Sequence, residues 1–138
     1  MFIISKIAKL KSILQKIARE IILLSYQIEN ASIEKIGMKW EETVDNNKIY
    51  NFDELKKEVS NFLNETGNNL DAKNINDIII DIGNNLYKYN FRTTEEILNT
   101  NIDKQDKIDI FSYIIEKNID KLTNEYIGVL KWTSTRKS

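Results

Sequence analysis

The stretch IISKIAKLKSILQKIAREIILLSYQI, residues 3–28, decides the fold class of this chain. Ile3, Ile7, Leu10, Leu14, Ile17, Ile21, Leu24 and Ile28 recur at spacings of 4-3-4-3-4-3-4, which an α-helix gathers onto one side. At about 1.5 Å per residue such a helix is roughly 40 Å long. The pattern is the heptad seam of a coiled coil, with Ile or Leu at every core position. Ile13, Ile22 and Leu23 flank the seam and widen it beyond the strip that two paired helices need. That width points to burial against two neighbours, as in a bundle. The seam residues are accordingly the first candidates for contact with a partner protein or a second copy.

Outward from this stretch, Ile33 and Ile36 continue the apolar positions to Gly37, a residue suited to a left-handed helix stop, so the first helix is expected over residues 2–36. MKWEETVDNNKI (38–49) follows as a less ordered passage. Asn51 with Glu54 has capping-box spacing, and Tyr50 with Leu55 is placed as a hydrophobic staple, opening a helix over 51–66 that ends at Gly67. NINDIIIDIGNNLYKY (74–89) fits a helix capped by Asn74 and Asp77, although its isoleucine run also suits a strand and Gly83 could break it early. Thr93 with Glu96 starts a short helix at 94–100, and a long one at 103–127 carries Ile108, Phe111, Ile115, Ile119, Leu122 and Tyr126. Gly128 and a frayed tail over 130–138 end it. With no proline and only four glycines to punctuate it, the chain is read as a single all-α domain, residues 1–138, forming a bundle of four or five helices around a long amphipathic N-terminal helix.

Composition narrows the chemistry. At 41% hydrophobic and 30% charged residues, with a mean hydropathy of −0.43, the chain is too apolar for disorder and too interrupted by charge for a membrane span. It has no histidine and no cysteine, which removes His-based triads, thiol nucleophiles and zinc sites of ordinary type. Scattered glycines cannot write a phosphate-binding loop. NTNIDKQDKIDI (99–110) resembles a calcium loop at its first positions, but Lys104 replaces the turn glycine and Ile110 the final Glu. Asp77 with Asp81, and Asp103, Asp106 and Asp109, read as exposed helix acids. No enzyme activity, cofactor, metal or small-molecule substrate is therefore expected. The abundance of Ile, Asn and Lys matches an AT-rich coding sequence, so Asn-rich stretches carry little positional information.

Charge is uneven along the chain. Residues 1–40 hold seven Lys or Arg against three acids, residues 41–125 ten against eighteen, and residues 126–138 three against none. Lys6, Lys9, Lys11, Lys16 and Arg19 lie between the apolar positions of the first helix. They form a solvated face, pair with the acidic middle, or, with Lys131, Arg136 and Lys137, contact phosphate or an acidic partner. Residues 5–25 contain no aromatic ring on which a base could stack. Lysines at 6, 9, 11 and 16 break any secretory apolar region, and the seam is more regular than a bilayer surface demands. Trp40, Tyr87, Tyr89 and Trp132 are core residues or aromatic anchors for a partner. These features suit a cytoplasmic, non-catalytic interaction module: an accessory, inhibitor or immunity-type protein that binds a protein partner or self-associates. The alternative is a nucleic-acid-associated subunit using the basic ends.

Overall fold

The computed structural model describes residues 2–29, 32–65, 75–88, 96 and 101–137, with side chains for all of these except 2–5, 26, 104, 108 and 126–137. The described residues form an all-α bundle with five helices of known bounds: α1 (Phe2–Gln27), α2 (Ile33–Asp45), α3 (Phe52–Glu65), α4 (Ile75–Lys88) and α5 (Lys104–Lys137). No strand occurs among the described residues.

Helices α1 and α4 each pack against all four of the others, and α1 makes the more extensive contacts, most of all with α5. Leu10, Ile13, Leu14, Ile17, Ala18, Ile21 and Leu24 are all buried. At about 100° per residue these positions span an arc of roughly 140°, wider than a helix needs against one neighbour. The facing surfaces come from Ile36, Trp40 and Val44 of α2, Leu55, Val59 and Phe62 of α3, Ile79, Ile82 and Leu86 of α4, and Phe111, Ile115, Ile119 and Leu122 of α5. Each fully buried Leu or Ile contributes about 1.5–3 kcal/mol relative to exposure, so this seam supplies much of what holds the fold together.

The first helix is shorter than its apolar spacing predicts. It ends at Gln27, and a separate helix begins at Ile33, where Ser32 sits in extended backbone (φ −133°, ψ 163°) and its Oγ accepts a hydrogen bond from Lys35 N at 3.1 Å. That cap satisfies one of the donors left open at a helix start. Helix α2 then runs through Gly37 and through the passage expected to be less ordered, stopping at Asp45. Its end is a Schellman motif: Asn47 adopts φ 57°, its N–H donates to Val44 O at 3.1 Å, and Lys48 N–H donates to Thr43 O at 3.0 Å. Asparagine does here what glycine does more often, because its short polar side chain tolerates left-handed backbone.

Gly37 and Gly83 are therefore neither a stop nor a break. They lie inside α2 and α4, where those helices cross, and each accommodates an aromatic group of the other. A Cβ on Gly83 would collide with Trp40 Nε1, and one on Gly37 would stand 2.6 Å from the Tyr87 hydroxyl. Trp40 Nε1 donates to Ile80 O at 3.2 Å, and the Tyr87 hydroxyl bonds Asn84 Oδ1.

At the start of α3, Leu55 N–H donates to Asn51 O at 3.1 Å, so Asn51 holds the cap position, but with φ 52° instead of the extended backbone of a capping box. This turn buries Ile49 and leaves Tyr50 80% exposed, so the expected staple with Leu55 does not form. The DIIID run is helix, as its spacing favours. Asp103 caps α5, accepting from Gln105 N–H through Oδ2 and from Lys107 N–H through its carbonyl. That helix continues past Gly128 to Lys137, in place of a frayed tail, since one glycine costs a helix only about 1 kcal/mol. Of the short helix expected over 94–100 only Glu96 is described, and Asn74 lies outside the described residues.

Candidate functional site

The seam of α1 is filled from within. Leu10, Leu14, Ile17, Ile21 and Leu24 are buried, Ile7 and Ile28 are partly covered, and the side chain of Ile3 lies outside the described residues. The seam is thus occupied by α2, α3, α4 and α5 of the same chain, which corrects its reading as a partner-binding surface. A heptad states that a stripe is covered but does not state by what.

The basic face of α1 is engaged as well. Lys6 Nζ donates to Glu65 O at 3.0 Å, Lys9 bridges both carboxylate oxygens of Glu65 at 2.8 and 2.9 Å, Lys11 pairs with Asp120 at 3.0 Å, and Lys16 pairs with Glu58. These contacts fasten α1 to α3 and α5. Exposed pairs of this kind contribute about 0–1 kcal/mol each, so they set orientation more than stability. The side chains of Lys131, Trp132, Arg136 and Lys137, and residue Tyr89, lie outside the described residues. Trp40 and Tyr87 are almost wholly buried at the α2–α4 crossing, so neither is available as an exposed anchor. Burial, with Glu41 nearby, pushes the Tyr87 hydroxyl up to about 12 and keeps it protonated.

What remains open on α1 is the side facing away from the core. There α1 and α5 enclose a groove of about 710 Å³, lined by Lys11, Gln15, Ala18, Arg19, Ile22 and Leu23 from α1 and by Ser112, Ile115, Glu116, Ile119 and Asp120 from α5. Lys11, the lowest-numbered α1 residue of the groove, pairs with Asp120, its highest-numbered α5 residue, so the two helices run antiparallel. Ala18, Ile115 and Ile119 form a buried apolar floor, and Leu23 stands 52% exposed at one end. The walls differ in sign: Lys11 and Arg19 on α1, Glu116 and Asp120 on α5. Leu23 is visible in the sequence as excess apolar width, whereas the α5 wall follows from the register of two helices distant in the chain.

A smaller cleft of about 130 Å³ lies on another flank, between α1 and the turn into α3, lined by Lys16, Arg19, Glu20, Ile49, Tyr50 and Glu54 among others. Glu20 is half-buried there, and burial raises its carboxyl above the ordinary range, partly offset by the Tyr50 backbone N–H and the Arg19 charge. Among the described residues no group of acids is gathered as a metal site, and no helix is long and apolar enough to cross a membrane. No protein-family model matches the chain, and comparisons with curated proteins and with solved structures find no match.

Proposed function

We propose that the chain is a non-catalytic interaction module, an accessory, inhibitor or immunity-type protein, whose working surface is the groove between α1 and α5. The observation that carries this reading is the groove's build: an apolar floor, an exposed leucine and two walls of opposite charge. A helix laid over two antiparallel helices covers the apolar side chains still open at the groove, Leu23 and the partly exposed Ile22, and sets its charges against the walls. The lysines of α1 support this choice over the nucleic-acid alternative, because Lys9, Lys11 and Lys16 already face carboxylates of this chain.

The test is a photo-crosslinking residue at Leu23, compared with one at Met38, which is 67% exposed on α2. Crosslinking to a protein from Leu23 and not from Met38, lost in Ala18→Arg, supports groove binding. Equal labelling from both positions, or none from Leu23, contradicts it. Binding to nucleic acid that weakens steeply with rising salt would favour the alternative.

A further inference from the structure

We infer that the occupant of the α1–α5 groove is a second copy of this chain, docked about a two-fold axis parallel to the two helices; this rests on the groove being the working surface. A rotation of that kind brings the α1 wall of one copy onto the α5 wall of the other. Because the α1 wall is basic and the α5 wall acidic, the face is complementary to itself in this orientation and to no other two-fold arrangement of the same helices.

The register agrees. Lys11 lies level with Asp120, so in an antiparallel pair Arg19 lies level with Ser112, one helical turn from Glu116. Arg19 and Glu116 take part in no ion pair among the described residues. Across the axis each meets the other from the partner copy, within reach of an extended arginine. The closed Lys11–Asp120 pair meets its own image, with signs alternating around the four groups.

The groove is small for an interface: its lining runs from Lys11 to Leu23 on α1, roughly 18 Å at about 1.5 Å per residue, so it offers less than the about 800 Å² per partner of an ordinary stable interface and suits a weak, reversible dimer. Its floor is already mostly covered, leaving Leu23 and the partly exposed Ile22 as the apolar surface still to be buried, so the affinity is expected in the micromolar range.

Sedimentation equilibrium of the wild type from sub-micromolar to sub-millimolar concentration should show reversible passage from one chain mass to two. Arg19→Glu and Glu116→Arg, both at exposed positions, should each weaken the dimer at least tenfold, with helix content retained, and the combined variant should regain most of the affinity. A single chain mass at every concentration overturns the inference, as does a dimer indifferent to both charge reversals. Crosslinking from Leu23 to a different protein, by a chain that stays monomeric, rejects the second copy while leaving the interaction reading intact; absence of any crosslink from Leu23 removes both.

Discussion

Gly83 shows how much of this fold turns on single atoms. Gly→Ala inside a helix normally gains about 0.5–1 kcal/mol, yet the added methyl would meet an indole that is fully buried and hydrogen-bonded to Ile80 O, and overpacking of that kind costs about 1–3 kcal/mol. Gly83→Ala is therefore expected to lower the unfolding free energy, measured by denaturant titration, where an exposed helical glycine would raise it. Glu20 makes the stability depend on pH. Burial raises its folded-state pKa above the unfolded value near 4.5, so the folded state holds its proton more tightly. The group's stabilising contribution is complete below the unfolded pKa and is lost as pH rises through the folded one. Glu20→Gln, which keeps an acceptor for the Tyr50 N–H, should raise the melting temperature at neutral pH, with the gain shrinking towards zero on acidification. A gain that is constant with pH would show that the carboxylate charge is not its source.

At the scale of elements, the helix faces are legible in the sequence and the helix ends are not. Alternating steps of three and four residues identify α1 as amphipathic without reference to its neighbours. Its end is harder to read, because Ile28, Ile33 and Ile36 look like a continuation, although the step of five between Ile28 and Ile33 marks the place where the helix stops and Ser32 starts another. The stop of α2 lies in Asn46-Asn47, a pair easily discounted in so Asn-rich a chain, while Gly37 draws attention to a position that needs small size for packing and not left-handed backbone. Asn47→Gly should stabilise the protein by about 0.5–1 kcal/mol, and Asn47→Val should destabilise it by about 1–2 kcal/mol, since a β-branched residue at positive φ is strained. Chemical denaturation of the two variants checks the sign of each. A stabilising valine would mean that the left-handed turn is not what ends α2.

At the scale of the whole molecule, α1 packs against all four other helices, and its basic face repeats the arrangement in charge, reaching α3 through Lys9 and Lys16 and α5 through Lys11. The candidate site was the least legible feature, because a groove made by Arg19 on one helix and Glu116 on another depends on a register that no local pattern encodes. The seam, in contrast, was legible as a covered surface; only its cover was open, since the same heptad serves a helix of the same chain or of another. That distinction is the central claim, and the absence of native cysteine allows it to be measured directly. Thiol labelling of Ile17→Cys, a wholly buried seam position, is compared with Met38→Cys, an exposed one, at protein concentrations low enough to keep the chain monomeric. Rapid modification at position 38 and protection at position 17 that is lost only on global unfolding are the expected results; modification of both at the same rate in the folded monomer would contradict a seam covered by its own chain.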